Sequence, residues 1–141
     1  MSPTNHLNRF LEAQSTSFEA ALTEIRNGRK RSHWMWYIFP QIAGLGFSET
    51  SKFYAIKNTA EAASYLHHPI LGKRLVEISE ALLYLEGKTA NQIFGSPDDM
   101  KLKSSMTLFG ALPDTNPVFH QVLDKYFDGT KDQKTLQLIA G

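Results

Sequence analysis

Apolar positions recur every three or four residues along most of this chain. Leu7, Phe10, Leu11, Phe18, Leu22 and Ile25 follow that rule with polar residues between them. They predict an amphipathic helix from about Asn5 to Asn27, ended by Gly28. Thr59-Ala60-Glu61-Ala62 opens a shorter helix that stops before Pro69. Leu71, Leu75, Ile78, Leu82 and Leu85 then alternate by four and three ahead of Gly87. They predict a long central helix over 69–86, with Pro69 at its first position, where a missing N–H costs nothing.

Cap chemistry marks three further starts. Thr89 with Gln92 three residues on reads as a capping box. Ser96-Pro97-Asp98-Asp99 supplies an N-cap, a first-position proline and two acids against the positive end of a helix dipole. Asn116-Pro117 repeats the cap-plus-proline pattern. The helices behind the last two would bury Leu102, Met106 and Phe109, then Phe119, Val122, Leu123, Tyr126 and Phe127. A final turn holds Leu136 and Ile139. No alternation of period two and no hairpin dipeptide is present. The expected architecture is all-α: one compact domain over residues 1–141, of about seven helices, with a glycine-bounded loop near residues 40–48. His33 to Phe39 stands outside this scheme. It is short, apolar and aromatic, and fits a buried strand as well as a buried helix.

Composition narrows the function classes. The chain has 141 residues, 42% hydrophobic and 21% charged, with a formal net charge of +1. That balance gives no broad electrostatic attraction to nucleic acid or to an anionic membrane. The absence of cysteine removes disulfides, thiolate catalysis and cysteine-ligated zinc. Met1 to His6 lacks the basic start and apolar core of a signal peptide. The longest apolar run, Trp34 to Phe39, is far below the ~20 residues that span a bilayer. A cytoplasmic protein, monomeric or homodimeric, is expected. His67 and His68 are adjacent and would diverge on a helix, and no metalloprotease, nucleophile-elbow or calcium-loop motif occurs, so neither a metal site nor a cofactor is expected.

Candidate chemistry concentrates in Ser32-His33-Trp34-Met35-Trp36-Tyr37-Ile38-Phe39-Pro40-Gln41. Arg29-Lys30-Arg31 precedes it, and Gly44-Leu45-Gly46 follows. On a helix, Trp34 and Ile38 share a face while Trp36 points elsewhere, so one indole can be core and the other can line a pocket. His33 beside three cations would favour its neutral form. The basic run either offsets a helix dipole or contacts phosphate. Ser48, Glu49 and Ser51 flank the glycine loop. The Asp98-Asp99 pair caps a helix, and with Lys101, Ser104 and Ser105 one turn later it gives an acid–cation–hydroxyl cluster on one helical face.

The string from Ser32 to Gln41 leads on to Gly44-Leu45-Gly46-Phe47-Ser48, Tyr54-Ala55-Ile56, Glu61 to Leu66, His68-Pro69, Leu71-Gly72 and Arg74-Leu75. Phe94-Gly95, Asp98 to Leu102 and Ser104 to Phe109 complete the set. Together these closely resemble the bacterial domain-of-unknown-function family 1810, from Phe10 to Phe127. The resemblance implies a small, mainly helical, cytosolic protein and brings no established activity. A looser order resembles the YbiA-type helical N-glycosidases: Thr50-Ser51-Lys52-Phe53-Tyr54, Glu61-Ala62, Met106 to Phe109, Asn116-Pro117 and Asp128-Gly129. Those proteins act on ADP-ribose-linked or riboflavin-pathway sugar–nitrogen bonds. They carry glutamate directly after Thr-Ser, where this chain has Lys52.

Two function classes follow. One is an enzyme on a nucleotide-like small molecule, hydrolysing an N-glycosidic bond. Glu49, Asp99 and His33 are its candidate catalytic groups, because an oxocarbenium-like state needs a carboxylate and the leaving nitrogen needs an acid. Trp36, Arg31, Ser48, Ser51, Lys101 and Ser104 would bind the ligand. The other is a non-enzymatic helical module that binds a ligand or a protein.

Overall fold

The computed structural model describes residues 3–140, with side chains described from Leu7. Met1 to His6, read above for a leader, therefore lies largely outside the described side chains. Nine α-helices are present among the described residues and no β-strand: α1 (Pro3–Arg26), α2 (Met35–Ile38), α3 (Glu49–Tyr54), α4 (Thr59–His67), α5 (Leu71–Tyr84), α6 (Ala90–Phe94), α7 (Asp98–Gly110), α8 (Val118–Phe127) and α9 (Gln133–Ala140). The two beyond the seven expected are α2 and α3. Each is under two turns, too short for a 3.6-residue period to register.

α5 is central. It packs against α1, α4 and α8, while α7 packs against α8, α6, α9 and α4. Leu71, Leu75, Ile78 and Leu82 are buried and Leu85 is partly buried, as the spacing predicts. From α1, Leu7, Phe10, Phe18, Leu22 and Ile25 join the same core. Gly72 sits where α5 crosses the end of α4, so close to the Leu66 carbonyl that no side chain fits.

The caps follow the sequence unevenly. Thr89 and Gln92 form both bonds of the capping box, at 3.1 and 2.9 Å. Asn116 accepts from the Val118 amide at 2.9 Å. α5, however, begins at Leu71 and not at Pro69. His68 Nδ1 accepts from the amides of Ile70 and Leu71, at 3.1 and 3.2 Å, and Pro69 lies in the turn it closes. α7 begins at Asp98 without a Ser96 cap; the Asp99 carboxylate accepts from the Met100 amide at 2.8 Å instead.

The 33–39 segment is the short helix α2, packed against α1 and α3. Trp34, Met35, Ile38 and Phe39 are buried, whereas Trp36 and Tyr37 are half-buried. The glycine loop that follows returns beside Ile56 through a single parallel bridge from Ile42. Its bonds run from the Ala43 amide to the Ile56 carbonyl and from the Ile56 amide to the Gln41 carbonyl, both at 2.8 Å.

Candidate functional site

That bridge fixes the loop against α3 and opens a cleft of about 100 Å³ between them. Trp36, Gln41, Gly44, Ser51, Lys52 and Tyr54 are among its walls. Gly44 has φ +106°, a backbone state that favours glycine, and Leu138 of α9 packs over it. Gly46 is needed for a different reason: a Cβ there would overlap the Ser51 side chain.

α3 contributes no fully buried residue, so its position rests on polar ties and rings. Ser48 caps it, accepting from the Ser51 amide at 3.1 Å. Arg9 of α1 holds the far end. Its Nε donates to the Phe53 carbonyl at 2.8 Å, and its Nη2 donates to the Ala55 carbonyl at 2.9 Å and to Glu61 at 3.0 Å. Tyr54 lies against Tyr37 and Phe10, with ring centres 5.2 and 6.0 Å apart. Burial, with smaller contributions from Tyr37 and Glu12, pushes the Tyr54 phenol up from its ordinary value.

The charged lining of the cleft is a single lysine. Lys52 lines it, and Lys101 of α7 places its ammonium 5.4 Å from the centre of the Trp36 ring. No carboxylate is in the lining. Lys101 also pairs with Asp98 at 3.3 Å, and the other oxygen of Asp98 pairs with Lys30 at 3.0 Å. Lys30 in turn stands 5.2 Å from the Trp34 ring centre. Each tryptophan of α2 and its cap thus carries a lysine over its ring, and Asp98 joins the two cations.

The aromatic segment is secured from beneath by Glu24. Its carboxylate accepts from the amides of Arg31 and Ser32, the Ser32 hydroxyl and the Trp34 indole N–H, at 2.6 to 3.0 Å. Burial alone would raise its pKa, but these four donors outweigh that and hold it at about 2. Behind α2, buried Gln14 donates to the Tyr37 carbonyl at 2.8 Å and to the Tyr65 hydroxyl at 2.9 Å.

Of the residues singled out in the sequence, Trp36 and Ser51 line the cleft, and Lys101 stands over the Trp36 ring outside the lining. Ser48 stands at its edge as the α3 cap. Glu49 is exposed in the first turn of α3 and is not in the lining. Asp99 turns toward α6, where it accepts from Asn91 at 3.3 Å. His33 and Arg31 are exposed outside the lining, and Arg31 is engaged through its backbone by Glu24. Ser104 is buried between the Met100 carbonyl, at 3.1 Å, and Asp132, at 3.3 Å. Sequence reasoning passed over Glu24, Gln14 and the Lys30–Asp98 pair. The three-residue spacing of Asp98 and Lys101 was the one available signal, since such pairs share a helix face.

A comparison with curated proteins found no match. Among solved structures, the chain is similar to the conserved hypothetical protein Rv1873 from Mycobacterium tuberculosis, with 44% identity, 96% of each chain covered and a TM-score of 0.94. The family described as "Protein of unknown function (DUF1810)" matches residues 4–139, from the first turn of α1 to the last of α9. With nearly its whole length matched, the chain belongs to the DUF1810 family.

Proposed function

We propose that this protein binds a small anionic molecule of nucleotide type at the Trp36 cleft, as a ligand-binding module. The observation that carries this reading is the pairing of a half-exposed indole with two lysines. Lys101 stands over the ring while sharing Asp98 with Lys30, Lys52 lines the wall, and the lining itself holds no carboxylate. An indole offers a planar apolar face, and the ammonium groups favour phosphate or carboxylate beside it. At about 100 Å³ the cleft takes one group of such a molecule, and the rest lies on the open surface around it.

Hydrolysis of a sugar–nitrogen bond is disfavoured by the same charges. Its transition state gathers positive charge at the sugar carbon, which needs a nearby carboxylate. Lys52 stands where the resembling N-glycosidases carry glutamate, Glu49 is exposed outside the lining, and Asp99 accepts from Asn91 of α6. Two ammonium groups beside an oxocarbenium ion would raise its energy.

Calorimetric titration with adenosine monophosphate, ADP-ribose and flavin mononucleotide tests the reading. Saturable binding of at least one is expected, with Trp36→Ala and Lys101→Ala each weakening it about tenfold or more. Absence of saturable binding at millimolar concentration, or binding indifferent to both substitutions, would overturn it.

A further inference from the structure

A second cationic surface lies where the chain after α1 passes α6. Gly28, just past the end of α1, is buried with φ +81°, and Lys88 lies across it. The Lys88 ammonium donates to the Gly28 carbonyl at 3.0 Å, and a Cβ at position 28 would come within 2.9 Å of the same nitrogen. The Lys30 amide donates to the Ile93 carbonyl at 2.7 Å, which ties the chain after α1 to α6. Between these ties runs a groove of about 460 Å³, lined by Arg29, Lys30, Lys88, Asn91, Gln92 and Gly95 together with their neighbours.

Three cations and no carboxylate are in that lining. Two acids approach from α7. Asp98 takes up Lys30 at 3.0 Å, and Asp99 accepts from Asn91 at 3.3 Å. Arg29 and Lys88 have no ion-pair partner among the described residues. For a chain of net charge +1 this is a local excess. Lys88 has a structural reason for its place, as a cation on the last carbonyls of α1. Arg29 is exposed and has none. The oxygen of the Gln92 amide is spent on the capping box, which leaves its NH2 as a donor.

We propose that this groove is a second binding site, which takes the phosphate or diphosphate of a small metabolite on Arg29, Lys88 and the Gln92 amide. Its volume falls within the range of small-molecule sites. Lys88 is already held in place by Gly28, so little side-chain entropy is lost when an oxyanion arrives. The Arg29 fork matches two oxygens of one phosphate. The site does not depend on the Trp36 reading.

Calorimetric titration of the full chain with inorganic pyrophosphate at low salt, with sodium chloride at matched ionic strength as the control, tests this. Saturable binding is expected. Arg29→Gln should weaken it about tenfold without lowering the unliganded Tm, Lys88→Gln should weaken it as well, and Trp36→Ala should leave it unchanged. No saturable binding, or affinity untouched by Arg29→Gln, overturns the proposal. Loss of pyrophosphate binding in Trp36→Ala overturns it too, because the anion would then sit in the other cleft. A single-stranded oligonucleotide that displaces pyrophosphate at lower concentration would overturn the small-molecule assignment.

Discussion

The indole N–H of Trp34 donates to the carboxylate of Glu24 at 2.9 Å, across a turn that Glu24 also holds through two backbone amides and a hydroxyl. One acid on α1 therefore sets where the tryptophan segment begins. Because α2 follows at once, the same acid sets the direction of Trp36. The core residue Trp34 and the turn that leads to Trp36 are held by one side chain.

Glu24 gives a pH dependence with a definite sign. Its pKa is lowered in the fold, from 4.5 to about 2, so the stabilisation is complete above the unfolded value and is lost as pH falls toward 2. Solvent around this partly exposed group screens the effect to about 1–2 kcal/mol. Glu24→Gln should lower stability by that amount at pH 7 in chemical denaturation. The gap to the parent chain should narrow between about pH 4.5 and pH 2. A gap that is constant with pH would contradict it.

Leu75→Ala and Leu82→Ala should each cost about 2–5 kcal/mol, since both side chains are buried on the central helix α5. Urea denaturation curves measure this directly. Losses below about 0.5 kcal/mol at both sites would remove α5 from the centre of the core.

Gln14 and Tyr65 should act as a unit. Gln14→Ala leaves both the Tyr65 hydroxyl and the Tyr37 carbonyl without the amide that donates to them, at a cost of about 2–4 kcal/mol. Tyr65→Phe added to it should cost less than it does alone, because the hydroxyl has already lost its partner. Additive losses in the double-mutant cycle would show that the two residues are energetically separate.

Gly72→Ala should destabilise the protein although alanine is the better helix former. The intrinsic gain is about 1 kcal/mol. The new Cβ, however, would fall inside van der Waals contact with the Leu66 backbone carbonyl, which has no rotamer by which to move aside. A lower Tm is expected, and an unchanged or higher one would mean that α4 and α5 separate easily.

The two tryptophans should differ in solution. Trp34 is 1% exposed while Trp36 is half-buried at the cleft. Acrylamide should quench the emission of the parent chain in part, and Trp36→Phe should remove most of the quenchable component. Equal quenching before and after the substitution would place Trp36 in the core.

The long helices were legible in the residues themselves. A 3.6-residue period repeated over several turns has one burial solution, so α1, α5 and α8 follow from the spacing of their apolar side chains, whereas α7 buries Ser104, Ser105 and Thr107 along with its apolar residues. The Thr89–Gln92 box was legible for a similar reason: both of its bonds lie within one turn and need nothing from the rest of the fold. Phe10, Leu75 and Phe119 are core residues by their spacing alone, and all three are buried.

The cleft was decided by tertiary structure alone. α2 and α3 are too short to declare a period, and they are the two elements that carry Trp36, Ser51, Lys52 and Tyr54 to one place. The Ile42–Ile56 bridge and the Arg9 clamp join residues far apart in the chain, and the four donors on Glu24 reach it across a turn seven to ten residues on; no helical or strand period encodes such partners. Choosing between neighbouring acids has the same origin. Asp98 shares a face with Lys101 by its three-residue spacing alone, but that Lys30 meets Asp98 while Asn91 meets Asp99 depends on how α7 is rotated against the chain after α1 and against α6. Residue types fixed what chemistry the chain could offer, and the packing of its short helices fixed which of those residues meet.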